Sequence, residues 1–388
     1  MGSGGDRIQI PPSGLFMKEI IFLSSIQWDF LWQRHQIFAT LFYRAGWKTV
    51  YVESTGIANP NLKGLGKVIL RRYVGVKRIK NPRPRGLSVV NPLVLPPTYR
   101  LFRRINRRVF VPRLVKKISS LGLQSPVIIA YSPTDTTLAL LDSLPHRLLI
   151  YDCVVNFEAF PGAPSDIGET EEELVRRSDF VVTDSQYLYR KMKEKTSAVY
   201  RLPPGVDFKH FARAYSGPIR EVKRLCFFGG VRWEIDLELI LKTAEMLPQR
   251  EFVFIGPLLM EVPPNVPRNI VFHGPVAYGE LPLILKDCHA LLLPYRRDEF
   301  TRGIIPAKFF ESLATGKPLI VSGIEENIRD YLDLVYPAST PGQMREVVLN
   351  LPEWETEEKV KSRMRVAREN SWERRFETLV SLIEGSGG

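Results

Sequence analysis

Short apolar runs recur along this chain at helix-length intervals, and that alternation restricts its fold more than any other feature. They lie at residues 20–23, 49–52, 127–130, 148–151 and 180–183, and again at 225–228, 252–255, 269–272, 290–293 and 319–321. Each is too short for a helix and is bounded by Gly, Pro or polar residues, so each reads as a buried strand. Between them, residues 36–44, 169–177 and 236–246 carry apolar side chains at helical spacing, and Gly46 ends the first of these. Strands alternating with helices predict parallel sheets covered on both faces. A length of 388 residues accommodates two such units, and LPPGVD (202–207) has the Pro and Gly content of a linker between them. The expected fold class is therefore α/β, with two Rossmann-like, doubly wound parallel-sheet domains facing a cleft. Residues 1–16 read as a foreign leader, Met17 as the natural start, and the final GSGG as a linker scar.

The stretch TRGIIPAKFFESLATGKPLIVSG (301–323) carries the chemistry. It reads as loop, helix, turn and strand. Pro306 suits the first helical position, where a missing N–H costs nothing. Phe309, Phe310, Leu313 and Ala314 form the apolar side, Gly316 fits the left-handed position after the helix, and Pro318 prevents continuation. On the polar side Lys308 and Glu311 are three apart and hence neighbours. A cation near a helix start can meet phosphates, and a carboxylate one turn on can accept from two sugar hydroxyls. That makes a seat for a nucleotide diphosphate; an exposed Lys–Glu helix pair is the simpler reading of the same residues. Gly229 and Gly230 directly follow a strand, which lets the backbone approach a ligand. The first βαβ unit lacks G-x-G-x-x-G, so no dinucleotide is indicated.

Charge is concentrated in one place. The net charge is +12, yet between Ser54 and Thr134 there are 17 Lys or Arg and no Asp or Glu, so the remainder is slightly acidic. Within the basic segment 63–117, residues 99–111 read as an amphipathic helix interrupted by Pro112. Leu101, Phe102, Ile105 and Val109 form its stripe, surrounded by Arg100, Arg103, Arg104, Arg107 and Arg108. Arginines beside an apolar stripe suit an anionic membrane surface; a core-facing helix with a solvated basic face is the alternative. No nucleic-acid recognition motif accompanies the charge, so no nucleic-acid partner is expected. No apolar run approaches the ~18–20 residues of a membrane span. Cys153, Cys226 and Cys288 are odd in number, widely spaced and without CxxC, which suggests a reducing compartment and no metal site. The five histidines form no ligand cluster either.

PAKFFESLATGKPLIVSG resembles the donor-site helix of the retaining glycosyltransferases of family 4, commonly P-x-K-L-F-E-Y-L-A-x-G-K-P-V-V. QRHQIFATLFYRAGWKTVYVES, YDCVVNFEAFPGAPSDIGETEEELVRRSDFVVTDS, LPPGVD, FFGGVRWEIDLELI and SWERRFETLVSLI resemble further family segments, together covering residues 17–383. The chain is similar to the bacterial branch that includes teichuronic-acid and other surface-polysaccharide transferases. Three departures stand out. Val155-Asn156 replaces two common acids, Asp236 stands where many members carry a diphosphate-binding lysine, and Gly303 takes the place of the first glutamate of an E-x7-E pair whose second is Glu311.

The resemblance implies the GT-B fold. Residues 17–207 form the acceptor domain, 208–370 the donor domain, and 371–384 a helix crossing back to the first. It implies transfer of a sugar from a UDP- or GDP-linked donor, with retention and without a metal or other cofactor. The acceptor is membrane-associated, a lipid-linked glycan or another glycan. The setting implied is cytoplasmic, peripheral to the inner face of the cell membrane. Catalytic roles fall on Asp152, Arg232 and Lys308. Lys308 and Arg232 hold the diphosphate and Glu311 the ribose; Gly229, Gly230, Arg302 and Pro306 complete the seat, and Phe272 and Gly274 border the base. His35 and Asp152 lie on the acceptor side. Two other function classes share these features: a non-hydrolysing nucleotide-sugar epimerase, which needs further acid/base residues in the cleft, and a non-enzymatic polyanion or nucleic-acid binder using residues 63–117.

Overall fold

The computed structural model describes residues 18–56, 80–97 and 99–386. The leader, the basic pairs at 71–72 and 77–78, and the last two glycines lie outside them. Seven strands form the first sheet: β1 (Glu19–Leu23), β2 (Lys48–Val52), β3 (Ser88–Val90), β4 (Val127–Ala130), β5 (Leu148–Cys153), β6 (Phe180–Thr183) and β7 (Val199–Arg201), in the order 3-2-1-4-5-6-7. Six form the second: β8 (Arg224–Phe228), β9 (Glu251–Ile255), β10 (Ile270–Gly274), β11 (Ala290–Pro294), β12 (Leu319–Ser322) and β13 (Tyr336–Pro337), in the order 10-9-8-11-12-13. Every pairing among these strands is parallel. A parallel sheet needs apolar side chains on both faces, and the near-continuous burial of β1, β4, β5, β8, β11 and β12 meets that need. In each sheet the order reverses beside the first strand, between β1 and β4 and between β8 and β11. Ligands of such sheets bind in the crevice at the carboxyl ends there.

The chain crosses between domains twice. Leu202 leaves the first sheet, and Val206 N–H donates to the Asn370 carbonyl at 3.0 Å. The last helix, Trp372–Gly385, then packs on Arg34–Arg44, placing Trp372, Leu379 and Ile383 in the core of the first domain. Trp372 meets Phe38 edge-on at 5.6 Å. Ser371 is the cap of this helix rather than its first residue, its hydroxyl accepting from Arg374 N–H.

Several expectations need correction. The basic helix is not one element. Arg100–Ile105 leads into a wide turn over Asn106–Phe110, then into Val111–Ser119, which runs through Pro112 without interruption. Pro112 has no N–H to donate backwards, and the wide turn accommodates that. Asn106 is fully buried and clamps Leu95 through both its N–H and its carbonyl, at 2.9 and 2.7 Å. Nor do all five arginines surround a free apolar stripe. Arg103 forks onto Asp166, and Arg107 onto Asp135 at 2.8 Å with Asp142 nearby. Arg100, Arg104 and Arg108 are exposed with no carboxylate partner among the described residues.

The cysteine reading changes as well. Cys226 and Cys288, 62 residues apart in sequence, are joined as a disulfide because β8 lies beside β11, leaving Cys153 buried and free. Wide sequence spacing therefore concealed a close pair, and the argument for a reducing compartment loses its ground. Among the described residues, no helix is long and apolar enough to cross a membrane.

Candidate nucleotide-diphosphate site

The helix Lys308–Ala314 begins two residues later than expected. Pro306 is buried ahead of it, its carbonyl accepting from Phe309 N–H at 2.8 Å, and so is not the first helical residue. Gly316 does take the left-handed position, at φ 71°. Phe309, Phe310 and Leu313 are fully buried and fix the rotation of the helix. Lys308 and Glu311 therefore face the crevice beyond β8.

Gly229 and Lys308 are packed as one unit. Gly229 has φ 112°, a backbone that a side chain disfavours. A Cβ built on it would lie 1.9 Å from Lys308 Cε. A Cβ built on Gly256, at φ 149°, would likewise come 2.0 Å from the Gly229 carbonyl oxygen. The lysine stem thus occupies space that only glycine leaves, and its ammonium lies 5.7 Å above the Phe227 ring centroid. Nζ makes no hydrogen bond or ion pair with any described residue. Burial pulls the Lys308 pKa down; Glu311 and Glu234 pull it back up, while Arg232 opposes them.

Glu311 is partly buried, again with no hydrogen bond to a described residue. Burial pushes its pKa up to about 7, Lys308 resists, and Asp207 adds repulsion. Asp207 caps the turn Phe208–Phe211 by accepting from His210 N–H at 3.0 Å. His210 stacks on Tyr278 at 4.3 Å, and burial together with Glu311 and Asp207 pushes the Tyr278 pKa up. Arg232 pairs with Glu234 at 3.3 Å, and the second oxygen of that carboxylate is buried with no hydrogen-bond partner among the described residues. Asp236 caps the helix Leu237–Met246 through Leu239 N–H at 3.0 Å, so it is neither a helical residue nor a phosphate ligand. Glu234, Asp207 and Tyr278 went unpredicted, since they reach the site from separate loops with no shared motif.

Other predicted residues lie elsewhere. Arg302 pairs with Glu299 at 2.8 Å and stacks on Tyr187 of the first domain at 5.1 Å; none of its contacts is with Lys308, Glu311 or Arg232. Phe272 stacks on Phe254 at 5.2 Å. Gly274, at φ 84°, has open space where a Cβ would stand. His35 and Asp152 come together beneath the carboxyl edge of the first sheet. His35 lies 3.0 Å from the Ser24 hydroxyl and 3.8 Å from the Tyr131 ring, and burial with Arg34 holds its pKa down at about 3, so it is neutral. Asp152 is fully buried and accepts from Arg34 Nε at 2.7 Å; burial pushes its pKa up against the pull of Arg34. Arg34 also donates to the Leu202 carbonyl at 2.8 Å, tying the pair to the linker.

The two domains meet over this site. Leu31 lies against Gly230, and Phe160 touches Phe300, which packs on Trp233. Asn156 donates to the Glu299 carbonyl at 3.1 Å and fills the space beside Gly303, where an added Cβ would come 3.0 Å from its own. Two of the three departures noted above are thus in contact.

Comparison with known proteins agrees with this geometry. A glycosyl transferase-like family model matches residues 232–381, a span that contains Arg232, Lys308 and Glu311. The chain is 24% identical over 190 residues to the putative teichuronic acid biosynthesis glycosyltransferase TuaH of Bacillus subtilis (strain 168), covering 44% of this chain and 47% of TuaH, so the match spans about half of that relative. Among solved structures it is similar to the sucrose-phosphate synthase of Thermosynechococcus elongatus, with TM-score 0.66, 13% identity and coverage of 95% and 98%. It is likewise similar to HepE of Anabaena in complex with UDP and glucose, with TM-score 0.61, 14% identity and coverage of 95% and 100%. Two parallel-sheet domains meeting over such a cleft are the GT-B fold, and the second of them carries the glycosyl transferase-like sequence.

Proposed function

We propose that this protein is a retaining glycosyltransferase of family 4 that moves a sugar from a nucleotide diphosphate-sugar to a membrane-associated, lipid-linked glycan. The observation that carries this reading is Lys308: a recessed ammonium, seated against a glycine at the switch point of the second sheet, with no hydrogen bond or ion pair to any described residue. Such a group costs stability unless an anion completes it. A departing nucleoside diphosphate supplies that anion, and charge builds on it as the glycosidic bond breaks. Arg232, held at the rim by Glu234, is the second cation. Glu311 takes the ribose hydroxyls. In this reading the two cations do the work a metal does elsewhere. The UDP complex of HepE and the teichuronic acid role in the TuaH name support the donor and acceptor classes. The free arginines Arg100, Arg104 and Arg108, beside exposed Leu93, Tyr99 and Leu101, support work at an anionic membrane face, on the cytoplasmic side.

Calorimetry with UDP and GDP tests the donor seat. Glu311→Gln removes charge-assisted bonds worth ~1.5–3 kcal/mol and weakens nucleotide binding while the protein stays folded. Lys308→Ala lowers kcat more than it raises KM, because its interaction strengthens as charge develops. If both variants bind nucleotide as tightly as wild type, the helix is scaffold and the assignment fails.

A further inference from the structure

A cavity of about 570 Å³ lies between the domains, beside β7 and the segment that follows β12, lined by Arg190, Lys191 and Arg201 from the first and Arg302, Asn327 and Arg329 from the second, among others. That volume is in the range of small-molecule sites. Lys191 is already committed to Glu158 at 2.6 Å, and Arg302 to Glu299. Arg190, Arg201 and Arg329 have no carboxylate partner among the described residues. Two lining carboxylates, Glu194 and Asp330, are also without an ion pair among the described residues. The cations nevertheless prevail, because the lining carries five Lys or Arg (Arg190, Lys191, Arg201, Arg302 and Arg329) against three carboxylates (Glu194, Glu326 and Asp330). Behind Arg201, Arg375 is brought down to about 10 by burial, against the pull of Tyr331, with Arg34, Arg201 and Arg374 adding repulsion; it donates to Asn370, and its buried Nε has no hydrogen-bond partner among the described residues. So much unneutralised guanidinium on opposed walls calls for an anion that several forks can grip at once, which is phosphate chemistry.

We infer that this cavity is a second anion site, distinct from the Lys308 seat, that takes a diphosphate ester and is held from both domains at once. A ligand gripped by Arg201 on one side and Arg329 on the other favours the arrangement in which the cleft is closed. The inference does not depend on the donor reading, since none of the lining residues belongs to the donor cluster.

The test is calorimetry with inorganic pyrophosphate on wild type, Lys308→Ala, the double variant Arg201→Gln/Arg329→Gln and all three substitutions combined, with melting temperatures as a check on folding. Lys308→Ala isolates the cavity from the donor seat. Pyrophosphate is expected to bind Lys308→Ala, and to bind Lys308→Ala carrying Arg201→Gln and Arg329→Gln at least about tenfold more weakly than Lys308→Ala alone. UDP affinity should be unchanged by the arginine pair, so failure of the donor reading would show in the UDP titration alone. The single variant Arg190→Gln, on an exposed residue, replaces the pair if that does not fold. In a second arm a short-chain prenyl diphosphate replaces pyrophosphate. Tighter binding through the same arginines identifies a lipid-linked diphosphate as occupant, and equal binding a free phosphate ligand; either supports the site. No pyrophosphate binding to Lys308→Ala, or undiminished binding when the arginine pair is added to Lys308→Ala, overturns the inference.

Discussion

Glu311 carries a testable electrostatic signature. Its carboxyl is raised from the ordinary value of 4.5 to about 7 by burial. The folded protein therefore holds a proton on it that the unfolded chain releases. Its contribution to stability is fully present below about pH 4.5 and is lost as pH rises through 7. At about 1.4 kcal/mol per unit of displacement, this amounts to at most about 3 kcal/mol. Melting scans of ligand-free protein should show Glu311→Gln matching wild type at pH 4.5 and exceeding it at pH 8. Nucleotide affinity should run the other way, rising with pH through 7 in wild type as the carboxylate ionises, and less steeply in Glu311→Gln. A wild-type melting temperature flat between pH 5 and 8, equal to that of the variant, would remove Glu311 from the recessed site. Lys308, Glu311 and Gly229 were legible in the sequence because each sits at a fixed offset from a strand or a helix boundary. Glu234, Asp207 and Tyr278 were not. Asp207 and Tyr278 reach Glu311 from distant loops, and a capping aspartate looks the same in sequence wherever it occurs. Arg34 was equally silent, although it stands next to His35 and holds both Asp152 and the linker.

At the scale of elements, spacing identified most strands but only some helices, passing over Asp135–Leu141, Gln186–Lys193, Pro341–Trp354 and Glu357–Glu369, and it did not show what the polar faces meet. The arginines of residues 100–110 illustrate this. Their helical positions were readable, whereas the division between paired and free ones depends on Asp135, Asp142 and Asp166, which arrive from later segments. The two sets should separate in experiment. Replacing Arg100, Arg104 and Arg108 with Gln is expected to abolish most sedimentation with anionic vesicles at low salt, each exposed cation contributing ~1 kcal/mol near such a surface. Replacing Arg103 and Arg107 should instead lower the melting temperature and leave vesicle binding largely intact. Equal loss in both sets would mean that charge alone matters, and not the face that carries it. The edge strands β3, β7 and β13 were missed for a related reason. They have only two or three residues, too few for a pattern, and only their neighbours make them strands.

At the scale of the whole molecule, the alternation of strands and helices implied two parallel-sheet domains, and the order of strands then placed the crevices. The disulfide between β8 and the turn before β11 was invisible because sequence separation does not report adjacency in a sheet. The returning helix sets how firmly the halves are coupled. Trp372 packs edge-on against Phe38 and covers Gly205, where no side chain would fit. Trp372→Ala should cost ~3–5 kcal/mol, as large aromatic truncations in cores do, and circular dichroism melts should show the first domain losing cooperativity before the second. A single unchanged transition would show that this ring is not needed to close that core. The same contact has a consequence for the order of synthesis. Phe38 and Phe42 leave the ribosome before the second domain does, but the residues that cover them, Trp372 and Phe376, follow it. The first domain must therefore wait, with part of its apolar face bare, until nearly all of the second has been translated.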